Sequence, residues 1–402
     1  MRLGLGRNKL EKFFAFGGIQ ALILVFYSTQ FYLDWPLLKM SRIRGQFNFE
    51  DFVTIFTSAK CFRDIGLQIY IPDPSRPLCF YPYGRTFIYF IDLFRIPAAL
   101  APTIIILVGA LILFLTTNFL GKTSFNEKLF ITFVFISPPL WLAIERGNAD
   151  ILICLLVLLS AYSSYKKKSH TSLLLLALAT LIKFYTLPLL VMEIWRQRES
   201  VNKYIYTSVV AAVCYVIFVD IQAQHLQQPG SFAFGSPVVT FWLNAISSNL
   251  HLPIREISIR EGQIIGIIFL CAIVACLSRI LDFSSTERSR IDRPLSNICF
   301  FYLGSVYVTC FVFGMSYDYR LIFSALAGLF FMSSFKTLVS KHSWILVVWL
   351  LSLWLSVFNF GFSPRTHLLI QWIGNIFDFF TAGLIISIFT CHLKIMTFRE
   401  KI

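Results

Sequence analysis

The chain alternates between long apolar runs and shorter polar segments. An α-helix needs about 20 successive apolar residues to cross the hydrocarbon of a bilayer, and repeated runs of this kind predict about 11–12 transmembrane helices. One long run is interrupted by Lys183 and Pro188, which predicts two short helices instead of one straight span. We therefore expect an all-α, polytopic membrane protein, with residues 1–402 forming a single integral-membrane domain. Residues 34–96 and 221–261 are the longest polar intervals and are termed the first and second loops.

The first loop contains a segment with the period of an amphipathic helix. If Asn48 caps this helix, one face carries an apolar stripe. Its members are Phe49, Phe52, Val53, Phe56 and Ala59. Asp51 lies about 200° from Phe49, on the polar face with Thr54 and Ser58. The pattern predicts a helix lying in the membrane interface with Asp51 directed toward a water-facing cleft. Asp51 also fits the plainer role of a first-turn acid that the helix dipole favours.

The composition supports this assignment to membrane proteins. Of the 402 residues, 57% are hydrophobic and only 14% are charged, with a mean hydropathy of +0.71. A soluble domain of this size does not need so much apolar sequence. The net charge of +14 is typical of a membrane protein with basic cytoplasmic loops and does not indicate nucleic-acid binding. The sequence contains no CxxC, HxxxH or P-loop motif, so it gives no support to a structural zinc site or a nucleotide-binding fold.

The distribution of basic residues predicts the orientation. Most of the 35 Lys and Arg residues fall in segments on the side of the two termini, whereas the short turns on the other side are nearly bare. The positive-inside rule then predicts cytoplasmic termini and extracytoplasmic first and second loops. Cys61 and Cys79 share the first loop and can form a disulfide there if the loop is extracytoplasmic.

The strongly polar groups beside the membrane fall on the predicted outer side. An ionisable group at membrane depth costs about 2.5–3.5 kcal/mol, so it normally faces a cavity, a partner or a substrate. The candidate substrate-binding residues are Tyr83, Arg85, Arg146, Asn148, Asp150, Lys183, Asp318, Tyr319 and Arg320. Plainer alternatives stay open, namely an interfacial salt bridge within residues 145–150, a loop ion pair within residues 318–320, and a Lys183 that reaches to the lipid headgroups.

Several of these stretches resemble a family of membrane glycosyltransferases. The loop ending "YPYGR", the segments "RGNADILICLLVLLSA" and "LALATLIKFYTLPLLV", and the hairpin "YDYRLIF" are similar to stretches of the GT-C superfamily. The nearest branch is the bacterial mannosyltransferase type that takes its sugar from a polyprenyl phosphate. This chain departs from that branch at Asn148, where the branch has Gln, and at Tyr83 and Phe184, where it has Pro.

The resemblance implies an activity and a set of partners. It implies transfer of a hexose or pentose, mannose-like, from a polyprenyl-phosphate sugar donor to a lipid-linked or cell-envelope glycan acceptor. The reaction would be a single inverting displacement at the extracytoplasmic face of the inner (cell) membrane. The resemblance places the general base in the first loop, which matches Asp51, with Glu50 as the fallback.

Two further points stay open at this stage. Some relatives use a divalent cation, and only the adjacent acids Glu50 and Asp51 suggest a metal here, so no cofactor is assigned. A transporter or flippase of an anionic lipid or small anion is the alternative function, because broken helices and charges near the membrane midplane are typical of transporters too.

Overall fold

The computed structural model describes residues 50–70, 79, 85–95, 97–121, 123–196, 207–208, 210–214, 233–234, 236–249, 256–281, 294–313, 316–355 and 364–399. The structural statements that follow concern these residues.

The described part of the chain is built almost entirely of α-helices. They are α1 (Glu50–Ile65), α2 (Arg85–Phe94), α3 (Ala101–Leu120), α4 (Phe125–Phe135), α5 (Pro138–Arg146), α6 (Ala149–Tyr165), α7 (Ser169–Ile182), α8 (Leu187–Arg196), α9 (Val239–Asn249), α10 (Ile259–Ile280), α11 (Pro294–Phe313), α12 (Ile322–Ser334), α13 (Lys336–Lys341), α14 (Trp344–Leu355) and α15 (Pro364–Arg399). Short 3-10 helices lie at Gly66–Tyr70, Ala98–Leu100, Phe184–Thr186, Ser236–Val238 and Asp318–Leu321. Two strands, β1 (Ala233–Phe234) and β2 (Ser316–Tyr317), pair antiparallel.

Four described helices are long and apolar enough to cross a membrane, which confirms the all-α polytopic class. They span Ala98–Leu120, Ile259–Ile280, Leu295–Val312 and Trp372–Cys391. Helices α4 and α5 make a fifth candidate, a single span bent by 46°. Five further apolar helices have 10–17 residues, too short for this criterion. The predicted number of 11–12 crossings and the domain bounds therefore stay predictions.

The interrupted apolar run forms two helices, as the sequence predicts. Helix α7 ends at Ile182, and Lys183 adopts an extended conformation with φ −149° and ψ 129°. A single 3-10 turn follows before α8 begins at Leu187. Because Pro188 has no backbone N–H to donate, it suits the first turn of a new helix better than the interior of a continuous one. The break leaves Lys183 at the junction of the two helices.

Helix α1 is more enclosed by protein than its pattern predicts. The apolar stripe packs as expected, with Phe52, Phe56 and Ala59 buried. Ser58, however, lies on the face expected to be polar and is also fully buried. Helix α1 contacts α2, α3 and α5, so neighbouring helices cover both faces. Asp51 is consequently a largely enclosed acid, with its side chain 13% exposed, and not an acid on an open polar face.

Two structural links fix parts of the first and second loops. A disulfide joins Cys61 at the end of α1 to Cys79 in the rest of the first loop. In the second loop, β1 pairs with β2 immediately before the 3-10 turn at Asp318–Leu321. The hydroxyl of Ser236 donates a hydrogen bond to the Val312 carbonyl at the end of α11, over 3.0 Å. The second loop is therefore anchored beside the hairpin that leads into α12.

The core is formed by apolar side chains between the helices, and α12 lies at its centre. Each residue of α12 from Ile322 to Ser333 is buried. Helix α6 is also largely buried, whereas α3 and α10 keep many exposed apolar side chains, as expected of lipid-facing spans. The candidate site lies at the N-terminal ends of α1, α6 and α12 and at the junction between α7 and α8.

Candidate active site

A tight turn between α5 and α6 positions three of the candidate side chains. Arg146 is the last residue of α5, and Gly147 follows in the left-handed conformation with φ +59°, which glycine adopts without the steric cost of a side chain. Asn148 caps α6, because its Oδ1 accepts a hydrogen bond from the Asp150 backbone N–H over 3.0 Å. The turn thus brings Arg146, Asn148 and Asp150 to one end of the helix pair.

Asp51 joins this turn from the first loop. The guanidinium of Arg146 donates to Asp51 Oδ1 over 2.6 Å, and the Asn148 amide donates to Asp51 Oδ2 over 2.7 Å. The side chains of Arg146 and Asp51 are 20% and 13% exposed, so the ion pair is partly shielded from water but still reachable. A carboxylate offers about four lone-pair positions, and these two hydrogen bonds use only two of them. Asp51 therefore retains acceptor capacity for a substrate hydroxyl.

Asp150 is the centre of a second, deeper group. It is fully buried, and Lys183 donates to its Oδ1 over 2.6 Å. The hydroxyl of Tyr185 donates to the same oxygen. Arg320 lies near the second carboxylate oxygen, with its Nε 3.5 Å from Oδ2. Breaking a buried ion pair by removing one partner is strongly destabilising, so Asp150 supports the structure as well as holding the cations in place.

Asn148 connects the two groups. Its amide nitrogen faces Asp51, and its amide oxygen accepts a hydrogen bond from Lys183 Nζ over 3.1 Å. The Asn148 side chain is fully buried, and both of its polar atoms bond to protein groups. Three cations and two acids therefore form one contiguous network, in which the described side chains carry one excess positive charge. Such a group favours an anionic ligand near its partly exposed cations.

The structure brings most, though not all, of the predicted candidates together. Those that meet in the network are Asp51, Arg146, Asn148, Asp150, Lys183 and Arg320. Glu50, Arg85, Asp318 and Tyr319 begin or lie within described helices, but their side chains are outside the described part of the structure. Tyr83 lies wholly outside the described residues. The functional roles of these five residues, like those of the six in the network, stay predictions.

The structure adds Tyr185, which the sequence did not single out. It is 5% exposed and lies two residues after Lys183, in the 3-10 turn between α7 and α8. Its hydroxyl contacts Asp150, and its ring lies 5.4 Å from the Arg320 guanidinium carbon. The position of a tyrosine beside a lysine in a broken apolar run was the available signal. It was obscured because a further aromatic residue is not conspicuous in a chain that is 17% aromatic.

Two other buried acids were also missed. Glu193 in α8 accepts hydrogen bonds from Ser164 over 2.7 Å and from Arg196 over 2.9 Å. Asp378 in α15 accepts a hydrogen bond from Ser352 over 2.5 Å. Ser164 lies fourteen residues after Asp150 along α6, which is about 21 Å at 1.5 Å per residue, so the Glu193 group is remote from the candidate site.

The arrangement does not assign a metal. Among the residues that the structure describes, no group of three His, Cys, Asp or Glu is placed to hold an ion. Both described acids of the site already accept hydrogen bonds from cationic side chains. The side chain of Glu50, the second acid of the sequence-based suggestion, is not among those described.

Comparison with protein families points in the same direction as the geometry. Residues 81–260, somewhat under half of the chain, match the model of glycosyltransferase family 87, a membrane family of the GT-C type. The match indicates a glycosyltransferase. No curated protein and no solved structure matches the chain. The matched segment contains Arg146, Asn148, Asp150 and Lys183 of this glycosyltransferase-like chain, whereas Asp51 and Arg320 lie outside it and join the site only through the fold.

Proposed function

We propose that this chain transfers a mannose-like hexose or pentose from a polyprenyl-phosphate donor to a lipid-linked or cell-envelope glycan acceptor. The observation that carries the proposal is the meeting of one partly exposed acid with three cations in one network. The shortest links of that network are 2.6 Å, from Arg146 to Asp51 and from Lys183 to Asp150. The family match supports the sugar-transfer chemistry, and the resemblance to the polyprenyl-phosphate branch supports the donor class.

In the proposed reaction, Asp51 is the general base. The acceptor hydroxyl oxygen attacks the anomeric carbon while its proton passes to the Asp51 carboxylate. The new glycosidic bond forms as the bond between the anomeric carbon and the phosphate oxygen breaks, and polyprenyl phosphate leaves with the electron pair. One displacement of this kind inverts the anomeric configuration. Glu50 precedes Asp51 in α1 and is the fallback base.

The proposed phosphate-binding residues are the three cations. Arg146 and Arg320, with side chains 20% and 22% exposed, are the more accessible, and Lys183 at 9% lies deeper. Charge-assisted hydrogen bonds from such groups stabilise the negative charge that grows on the leaving phosphate. Arg85 is a further candidate, since it begins α2 within the first loop.

The remaining candidates take supporting positions in this scheme. Asp150 and Asn148 are buried and hold the cations and the base in fixed positions relative to each other. This favours an orienting role for Asn148 over a direct contact with the sugar. Asp318 and Tyr319 directly precede Arg320 in the chain, and Tyr83 precedes α2; these three residues are proposed to contact sugar or acceptor.

We also propose that the site faces the extracytoplasmic side of the inner membrane, with cytoplasmic termini. The disulfide between Cys61 and Cys79 supports this orientation, because disulfides persist in oxidising compartments and are rare in the cytosol. Both cysteines belong to the first loop, as does Asp51.

The test is Asp51→Asn in reconstituted proteoliposomes with a labelled polyprenyl-phosphate sugar. Removing a general base should lower sugar transfer by about 10²–10⁴-fold. The matched control is Asp92→Asn. Asp92 also pairs with an arginine on α1, since Arg63 Nε lies 2.5 Å from its carboxylate, but it is absent from the site network. Transfer by Asp51→Asn at the wild-type level would exclude Asp51 as the base.

The same assay separates transfer from transport, the second candidate. The sequence suggested that polar groups collect on one side of the membrane, but Glu193 and Asp378 are further acids buried within apolar helices, and Glu193 is remote from the site. Because ionisable groups buried among membrane helices often mark a transport pathway, these acids favour a transporter or flippase as the second candidate function. Label that becomes protected inside the vesicles without becoming covalently bound to an acceptor would favour transport.

A further inference from the structure

Tyr185 makes two different contacts within the site. Its hydroxyl donates a hydrogen bond to Asp150 Oδ1, the oxygen that also accepts from Lys183. Its ring lies 5.4 Å from the Arg320 guanidinium carbon, within the range of a cation–π interaction. One side chain therefore contacts both the buried acid and one of the cations that this acid attracts.

The local backbone holds Tyr185 in this position. The extended conformation of Lys183 ends α7, and the 3-10 turn that follows directs Lys183 and Tyr185 to the same carboxylate oxygen. Thr186 braces the turn, because its hydroxyl donates to the Lys183 carbonyl over 3.2 Å. The Tyr185 ring also packs edge-on against Phe323 of α12, with ring centroids 5.9 Å apart. The hydroxyl and the ring are thus both held by contacts within the protein.

This placement determines how Arg320 is held. Its Nε lies 3.5 Å from Asp150 Oδ2, a distance at which the ion pair is electrostatic and does not count as a close hydrogen bond. The Tyr185 hydroxyl, together with Lys183, saturates Oδ1 and restrains the carboxylate from turning toward Arg320. The face of the Tyr185 ring attracts the positive charge of the Arg320 guanidinium and accepts no conventional hydrogen bond from it. The N–H groups in the plane of the guanidinium therefore point away from the ring.

We propose that Tyr185 is a positioning residue that sets affinity for the donor phosphate by holding Arg320 between its ring and the Asp150 carboxylate. The inference rests on the proposed function, because the phosphate is that of the lipid-linked sugar donor. The hydroxyl keeps Asp150 from forming a closer pair with Arg320, and the ring keeps the guanidinium oriented for a phosphate. In this scheme Tyr185 acts through Asp150 and Arg320 and is assigned no contact with the reacting carbon or the acceptor.

Two substitutions separate the contributions of the hydroxyl and the ring. Tyr185→Phe removes only the bond to Asp150, and Tyr185→Leu also removes the aromatic face. With a polyprenyl-phosphate sugar as donor, we expect Tyr185→Leu to raise the donor KM by about threefold to thirtyfold, the range that a cation–π contact supports, and to leave kcat within about twofold. Tyr185→Phe should give a smaller rise in KM. The matched control is Tyr307→Phe, which removes another buried hydroxyl, one that donates to the Asp378 carbonyl over 3.2 Å.

A double-mutant cycle with Arg320→Gln provides the decisive comparison. If Tyr185 acts through Arg320, adding Tyr185→Leu to Arg320→Gln should change the donor KM much less than it does in the wild type. Equal effects in both backgrounds, or a fall in kcat with an unchanged KM, would overturn the inference. Should Tyr185→Leu not fold, the same cycle with Tyr185→Phe decides the question.

A binding readout separates this inference from the proposed function. Direct binding of polyprenyl phosphate to the purified protein in detergent should weaken in Tyr185→Leu by the same factor as the KM changes. If the wild type transfers no sugar, the proposed function fails. If the wild type transfers sugar but Tyr185→Leu binds polyprenyl phosphate as the wild type does, only the role of Tyr185 fails.

Discussion

The substitution Asn148→Asp tests the coupling between the proposed base and the cations with almost no change in shape. Asn148 donates to Asp51 Oδ2 over 2.7 Å and accepts from Lys183 over 3.1 Å. An ionised aspartate in its place cannot donate to Asp51, and it sets a second carboxylate against the first. Because like charges in one site favour the protonated form, the base should become active only at a higher pH.

The size of the effect follows from the geometry. Two carboxylates whose centres lie about 4 Å apart repel by about 4 kcal/mol at an effective dielectric constant of about 20. At 1.36 kcal/mol per pH unit, this corresponds to a ceiling of about 3 pH units. The ammonium of Lys183 and the guanidinium of Arg146 contact the two carboxylates and offset part of the repulsion. We therefore expect the acid limb of the pH–rate profile to move upward by about 1–2 pH units.

The assay is the pH dependence of kcat/KM for sugar transfer in proteoliposomes, from about pH 5 to pH 9, a range that brackets the usual optimum of acid–base catalysis. Asn118→Asp is the control, since it adds the same charge at an exposed position on α3. Transfer that persists in Asn148→Asp with an unshifted acid limb would refute the argument that Asp51 acts as the base beside Asn148. A uniform loss of activity at every pH would indicate instead that the substitution only disturbs the structure.

Two further predictions concern phosphate binding and the packing of the second loop against α10. Lys183→Met should weaken use of the donor lipid about tenfold or more, because a charge-assisted hydrogen bond contributes about 1.5–3 kcal/mol; Lys336→Met, which also removes an ion-paired lysine, should not. An unchanged donor KM would mean that Lys183 serves only the fold or the lipid headgroups. Gly266→Ala should lower the thermal stability in detergent, since its Cβ would lie 2.1 Å from the Ser236 carbonyl oxygen, whereas Gly109→Ala meets nothing closer than 3.6 Å and should be tolerated. Equal melting temperatures for the two alanine variants would contradict this packing.

Much of the fold could be predicted from local properties of the sequence. Apolar length indicated the membrane helices, and the structure confirms four of spanning length. Lys183 and Pro188 indicated the break between α7 and α8. The apolar stripe of α1 was also predicted correctly, but the burial of Ser58 on its other face was not. A helical period identifies which residues share a face, and it does not reveal how many neighbouring helices cover that face.

The candidate site, too, was predicted from the sequence only in part. Charged residues in an apolar chain are conspicuous, because burying an ionisable group without a partner is costly, so Asp150 and Lys183 stood out from the sequence. The sequence predicted that Asp51 would share a pocket with Arg146 and Lys183, because all three fall on one predicted side of the membrane. Which oxygen each cation would contact was beyond sequence reasoning, since Asp51 and Arg146 lie 95 residues apart. Tyr185 was overlooked because an aromatic residue in an apolar run satisfies the hydropathy pattern whether or not its hydroxyl binds an acid.

The sequence by itself thus determined which segments lie in the membrane and which lie in water, because hydropathy and helical period are local properties of a stretch of chain. The tertiary structure alone decided the partners. It placed Tyr185 at one oxygen of the Asp150 carboxylate and Arg320 near the other, and it enclosed Asn148 between two ion pairs. The physical reason is that an ionic contact depends on which helix ends pack side by side, and this is set by the fit of many apolar side chains along the whole length of the helices.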